Sequence, residues 1–541
     1  MTRSLEGKLT LGSQRSVLAV ARNGASAFRL LEVVKLFDDD DRLNLRMTVG
    51  PDSGYGYGYG VEQLLTSQRV RLLPWDSATA MPFDLVISGS ANTCLSEVDG
   101  PVVLFPHGAG HHKRPPAAST GGRVHELTEE QLLYNGSVIA AKHLLPGRDS
   151  MIRLKRDCEP ASRRAVIAGD PIAQQIREHI PLRETYRAAL GVTGGQKLIV
   201  VTSTWGPNSF AARSLGMLKQ LVAELPFDEY RVVATFHHNV TIRDGHRELE
   251  RILKSAIDSG LILLPPTLSW QAALIAADGV LGDQGSATFY AADIAPVAVA
   301  VNANSDCPPD SPMTALIDAL PHIETDQPLL PQVEALVAKP RSDDIATIID
   351  ASVKRDIDSA AEFRSTMYRL MDLDEPDVPA FLPLAVPRPE SVEVTAFVVS
   401  TMVVEDHDGL TVELTRYPAA TARMAEGRHL VVRTDDPDPR RAQTAAALVA
   451  ANPEPDLTDL LDRFPGCRVA AKPLPSGEVS LLVQDGSEYT VATTPAADGD
   501  TAALVASTYL SLARARRLDS SVLVRSGARR ILMDFGVSAR G

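Results

Sequence analysis

Apolar residues in the first third of this chain come mostly in short runs, with alternation at 45–49. Residues 17–21 (Val-Leu-Ala-Val-Ala), 45–49, 70–73, 84–88 and 102–105 each read as a buried strand, and the spacing over 26–36 predicts a helix between the first two. Such runs, bounded by turn residues, mark strands covered on both faces, the habit of parallel sheets with crossover helices. The pattern then restarts. Strands are predicted at 164–168, 197–202, 230–236, 261–264, 279–282 and 296–301, with helices at 211–225, 246–259, 268–277 and 286–292, and 342–372 reads as helical throughout. The expected fold class is α/β, with two doubly wound domains at 14–168 and 169–372.

Residues 373–390 are rich in proline and acid, the composition of a linker. The remaining stretch, 391–541, has the size of a separate domain. Strands at 392–399, 429–432, 479–483 and 521–524 and a helix at 502–515 suggest a smaller α+β unit of unknown role. At 541 residues the chain is too long for one core, so several domains are expected on length alone. The formal net charge of −14 argues against a nucleic-acid partner, which would call for a basic stripe. The four cysteines (Cys94, Cys158, Cys307, Cys467) form no C-x-x-C pair, which favours a reducing cytoplasm. The first residues lack a secretory signal's apolar stretch, and no apolar run is long enough to span a bilayer. A cytoplasmic location is expected, with peripheral contact to the inner membrane face left open.

Ligands of open parallel sheets bind beyond the carboxyl ends of the strands, and four polar clusters fall there. The first is Phe105-Pro-His-Gly-Ala-Gly-His-His-Lys113, in which His107 is the candidate general base. Gly108, His111 and Lys113 are candidates for the acceptor side. A zinc site from His107, His111 and His112 lacks a fourth ligand, and its glycines oppose the helix it would need. The second cluster, Thr202-Ser-Thr-Trp-Gly-Pro-Asn208, offers Thr204 to an anionic ligand. The third is His237-His238, with His237 facing a phosphate and His238 a second catalytic candidate. The fourth, Asp283-Gln-Gly-Ser-Ala-Thr-Phe289, opens a helix whose free amides form an anion site, with Asp283, Gly285, Ser286 and Thr288 as candidates for donor phosphate and nucleotide. At each cluster the plain alternative is a surface turn or a helix cap. The run Asp38–Asp41 reads as a solvated turn rather than a cation site. The loop of tyrosines and glycines at 54–60 offers rings for stacking on a sugar or base.

In this order, together with a Gly169-Asp-Pro171 turn, the clusters resemble the CDP-glycerol glycerophosphotransferase family over about residues 95 to 300. The resemblance implies a GT-B fold, two Rossmann-like domains facing across a cleft, and a setting in cell-envelope biosynthesis. It matches His107 to a catalytic base, His237 or His238 to a histidine on the donor phosphate, and Ser286 and Thr288 to hydroxyls on the donor pyrophosphate. It implies a CDP- or UDP-linked donor, an acceptor with a free hydroxyl, and neither metal nor other cofactor. The sequence departs from the family where paired serines become Gly285-Ser286 and Ala287-Thr288, where an arginine becomes Gly206, and where a proline becomes Asn239.

Two other readings compete. An isomerase of the nucleotide-sugar 2-epimerase type needs cleft carboxylates, for which Asp170 and Asp283 are candidates. A non-catalytic nucleotide-binding scaffold would account for the altered motif positions. Acceptor identity, donor base and oligomeric state are left open by the sequence.

Overall fold

Short runs of consecutive apolar side chains within the strands set the architecture, because such runs must be covered on both faces. The computed structural model describes residues 13–51, 60–114, 125–266, 270–301, 306–340, 342–407, 409–498, 500–518 and 521–537. In the first lobe, β1 (Arg15–Ala21), β2 (Leu43–Val49), β3 (Leu85–Ser88) and β4 (Val102–Leu104) are followed by a two-residue hairpin, β5 (Leu133–Tyr134) and β6 (Ser137–Val138), then by β7 (Ala140–Leu145) and β8 (Ala165–Ile167). The main sheet runs β2-β1-β3-β4-β7-β8 with all pairs parallel. Residues 70–73 form no strand and touch β2 only through the bridge Met47–Leu72. A place in the sheet goes instead to β7, whose Lys142 and His143 interrupt its apolar run.

The second lobe carries β9 (Lys197–Ser203), β10 (Tyr230–Phe236), β11 (Ile262–Leu264), β12 (Gly279–Gly282) and β13 (Val297–Val299), in the order β11-β10-β9-β12-β13 and again all parallel. Both sheets therefore have the doubly wound form expected. The stretch 342–372 is two helices, Asp343–Ser352 and Ser359–Leu370, and the second of them packs against the first lobe. Phe363 packs on Phe105 with ring centroids 5.5 Å apart, and the Tyr368 hydroxyl donates to Asp40 at 2.7 Å. One carboxylate of the acidic run thus holds a helix, and Asp40 titrates at about 2 because Arg42 and Tyr368 donate to it.

A buried triad braces the lobes. Arg29, on the helix Gly24–Val33, donates to the Pro106 carbonyl at 3.0 Å and pairs with Asp170 at 2.9 Å, while Tyr290 of the second lobe donates to the same carboxylate at 2.7 Å. Removing one partner of such a buried pair strands the other charge, at a cost of about 3–5 kcal/mol.

Residues 373–390 take no regular structure, yet they dock. Gln175 donates to the Pro383 carbonyl at 3.1 Å, the Leu384 amide donates to His179 at 3.2 Å, and Leu382 lies in the core. Beyond them, β14 (Ala396–Asp406), β15 (Gly409–Pro418), β16 (His429–Arg433), β17 (Ala447–Val449), β18 (Val469–Pro473), β19 (Val479–Val483), β20 (Glu488–Thr494), β21 (Ser521–Ser526) and β22 (Arg529–Val537) close into a barrel in the order β14-β15-β21-β22-β20-β19-β18-β17-β16. The expected smaller α+β unit thus takes the more specific form of a closed nine-stranded barrel with accompanying helices. Closure removes the sheet edges that would otherwise invite pairing with other chains. The helix Thr501–Ala515 buries residues on every face against the strands, as an all-round apolar helix must. Buried Arg416 ties the barrel to the second lobe, pairing with Asp228 at 2.5 Å and Asp500 at 2.6 Å.

Candidate functional site

The strand ends of the two sheets face each other across a cleft of about 320 Å³, within the range of small-ligand sites. Its lining includes His107, Gly108, His111 and Lys113 from the first lobe and Thr204, His237, His238, Asp283, Gly285 and Ser286 from the second. Ten of the eleven candidate residues named from the sequence therefore meet at one place. Thr288 does not line it. Its side chain is fully buried behind the helix start, with its hydroxyl 3.3 Å from that of Thr202.

His107 follows β4 and keeps a third of its side chain exposed. Its Nδ1 sits 3.2 Å from the Gly89 carbonyl at the end of β3 and 3.3 Å from Glu126. Burial alone would lower this imidazole's pKa, but the carboxylate raises it above the ordinary value. Glu126 itself is buried and held far below the usual carboxylate range, because His107 and its other neighbours outweigh the cost of burial. The sequence reading missed Glu126. Its only signal was position, next to His125 in a polar part of the sequence, which no periodicity reports.

His111 and His112 are buried side chains of the cleft lining. His111 Nδ1 lies 3.3 Å from the Ser150 hydroxyl, and its ring meets His143 edge-on. His112 stacks on Phe289 of the second lobe at 5.1 Å and has Nε2 3.2 Å from the Ala109 carbonyl. Burial pushes His111 down to about 3, and His112 and His143 to about 4, so all three are neutral near pH 7. Among the described residues, no group of histidine, cysteine or acidic side chains could hold a metal ion.

On the opposite wall, the helix Ser286–Ile294 starts at Gly285 with no side-chain cap. Its first-turn amides and the Ser286 hydroxyl are the groups an anion would meet. A Cβ on Gly108 would come within 2.4 Å of the Ser286 hydroxyl, so only glycine lets the two walls approach this closely. Lys113 reaches across and donates to the Thr204 hydroxyl at 3.1 Å.

Asp283 shapes this wall from within. It accepts from the amides of Thr204, Phe210 and Gly285 at 2.9 Å each, and from the Ser203 hydroxyl at 3.3 Å. Its carboxylate is thus committed to folding the loop. Asp170 is likewise committed to Arg29 and Tyr290. His237 caps a short helix, accepting from the Asn239 amide at 3.2 Å, and its ring lies 3.9 Å from that of His238. His238 packs on Phe28 at 5.3 Å, and a Cβ on Gly24 would collide with it. Burial first, and neighbouring positive charge second, push His237 well below its ordinary value and His238 to about 3. The tyrosine–glycine loop falls almost wholly outside the described residues.

No protein-family model matches the chain, and no curated protein matches it significantly. Solved structures do. The chain is similar to a CDPG-soaked variant of the wall teichoic acid polymerase TagF, at 10% identity and TM-score 0.47, covering 66% of this chain and 89% of that one. It is similar to Anabaena Alr3699/HepE in complex with UDP and glucose, at 13% identity and TM-score 0.38, covering 66% and 100%. A third similar structure is the UDP-GlcNAc 2-epimerase from Neisseria meningitidis bound to UDP-GlcNAc, at 14% identity and TM-score 0.43, covering 66% and 100%. All three likenesses span about two thirds of this chain. Among the described residues, no helix is long and apolar enough to cross a membrane.

Proposed function

We propose that the chain is a transferase that moves a glycerol-phosphate or glycosyl group from a nucleotide-activated donor to an acceptor hydroxyl. The observation that carries this is the meeting of a carboxylate-backed imidazole, His107, with the uncapped start of the helix Ser286–Ile294 across Gly108. One can take a proton and the other can hold a departing phosphate.

In this reading His107 Nε2 removes the proton of the acceptor hydroxyl. The oxygen attacks the β-phosphorus of the donor or, for a glycosyl donor, the anomeric carbon. The bond to the nucleotide phosphate breaks, and the electron pair leaves with that phosphate. The Ser286 and Ala287 amides, the Ser286 hydroxyl and Lys113 stabilise the charge as it builds. His237 donates to the same phosphate once it is protonated. No step requires a metal ion. A cell-envelope acceptor and contact with a membrane face belong to the same proposal.

The isomerase alternative needs a free cleft carboxylate, and both named candidates, Asp170 and Asp283, have their oxygens committed to internal partners. Calorimetric titration with CMP, CDP, UMP, UDP and GDP tests the proposal. Selective binding of one nucleotide, weakened by Ser286→Ala with Lys113→Ala, is expected. Folded protein that binds none of them would end the nucleotide-donor reading.

A further inference from the structure

Glu126 occupies a backbone conformation that non-glycine residues seldom adopt, with φ at 73°. Such outliers persist where the surrounding structure demands them, often at functional sites. Here the surroundings are specific. The Glu126 amide donates to Gln131 at 2.6 Å, and Ser90, one residue beyond Gly89, donates its hydroxyl to the carboxylate at 2.8 Å. The other carboxylate oxygen lies 3.3 Å from His107 Nδ1. The Ser90 carbonyl in turn accepts from Ser88 and Asn92 at 3.1 Å each. The end of β3 therefore fixes both acceptors that face His107 Nδ1, the Gly89 carbonyl and the Glu126 carboxylate.

We infer that Glu126 is the positioning residue of this site, holding His107 in the Nδ1–H tautomer with Nε2 turned to the cleft and stabilising the imidazolium formed when Nε2 takes a proton. The inference rests on the transferase reading for its role in turnover, but the tautomer and the ion pair are properties of the protein alone. Two acceptors at Nδ1 admit one hydrogen, which must sit on that nitrogen. Nε2 then carries the lone pair, as a general base requires. When the acceptor proton moves to Nε2, the imidazole becomes a cation beside a buried anion, and Glu126 stays ionised. The other titratable groups around His107 are Lys113, His111, His125, His237 and His238. Lys113 opposes its protonation, and the remaining imidazoles are held neutral by burial. Among the described residues, Glu126 is thus the anion that faces His107.

Nitrogen-15 NMR of histidine-labelled protein tests this, with the His107 signal assigned by its loss in His107→Asn. In the wild type, His107 is expected in the Nδ1–H form at high pH, titrating above the ordinary histidine value. In Glu126→Gln the titration should move to lower pH, and the tautomer should redistribute as the amide offers its own N–H. Glu126→Asp should restore part of the shift. An Nε2–H tautomer in the wild type, or a His107 titration unmoved by Glu126→Gln, would overturn the inference, and the first of these needs no variant to fold. If turnover is found, Glu126→Gln should lower kcat by about 10²–10⁴-fold with KM little changed, and shift the acid limb of the rate profile to lower pH. Absence of nucleotide binding alongside the expected NMR behaviour would count against the transferase reading and leave the His107–Glu126 pair standing.

Discussion

The cleft has one wall whose histidine is paired with a carboxylate and one whose histidines face each other. On the first lobe, His107 keeps a third of its surface and faces a buried carboxylate that favours its protonated form. On the second, the rings of His237 and His238 lie 3.9 Å apart, and burial keeps both neutral. The same side chain is therefore set to gain and lose a proton on one wall and to remain uncharged on the other until an anion arrives. A strand end supplies both positions. The difference lies in whether a carboxylate stands behind the ring.

The sharpest way to break this comparison is His107→Ala. Loss of a general base is expected to reduce turnover by about 10²–10⁴-fold while nucleotide affinity stays within a few-fold, because the second wall is untouched. Steady-state rates and calorimetry on the same preparation check it. Equal loss of rate and affinity would mean that His107 binds the donor and that the two walls do not divide the work.

A second difference lies beneath the first wall. His111, His112 and His143 are buried, with Glu126 offsetting only part of the cost for His111 and His143, and their pKa values are lowered to about 3, 4 and 4. A histidine whose folded pKa is depressed stabilises the fold fully above its unfolded value of about 6.5 and loses that contribution as pH falls. At pH 5 each such imidazole should cost about 2 kcal/mol relative to pH 7. Denaturant unfolding at the two pH values measures this, and His143→Phe, which keeps an aromatic ring without the titration, should flatten the dependence. Unchanged stability between pH 7 and 5 would show that these rings reach water or an anion.

Much of this was legible in the chain. Short apolar runs betrayed both parallel sheets, and the rule that ligands gather at strand ends led to His107, Lys113, Thr204 and Ser286. What escaped was set by tertiary contact. β7 was hidden because Lys142 and His143 break its run. The barrel was under-read because strands such as Glu488–Thr494 and Arg529–Val537 mix polar with apolar positions and make sense only once paired. Asp283 and Thr288 were assigned to a ligand because their types suit one. Their oxygens instead serve the loop and the helix behind it, a distinction that residue type cannot carry. Glu126 could not be linked to His107 without coordinates, since nothing in a sequence fixes contact between residues nineteen positions apart.

Ser286→Ala sharpens the second wall alone. A hydrogen bond to a charged group is worth about 1.5–3 kcal/mol, so nucleotide affinity should fall by at least about tenfold, with the His107 titration unchanged. Lys113→Ala should add to the loss and steepen at low salt, as exposed charge effects do. An unaffected affinity in both variants would move the anion away from the helix start.

The smallest expected effect concerns protons. His237 is neutral in the free protein because burial and neighbouring positive groups, Lys113 among them, disfavour its charge. A phosphate placed between Lys113 and the Ser286 helix would cancel the second cause and supply an acceptor, so the pKa of His237 must rise on binding. Linkage then requires proton uptake, fractional near neutral pH, and tighter binding as pH falls through the raised value. The increase should be a few-fold between pH 8 and pH 6. Titration in buffers of differing ionisation enthalpy counts the protons directly, and His237→Asn should abolish the uptake without removing binding. Proton release would mean that binding lowers the pKa of a group already protonated, which a phosphate beside His237 cannot do, and would overturn this assignment.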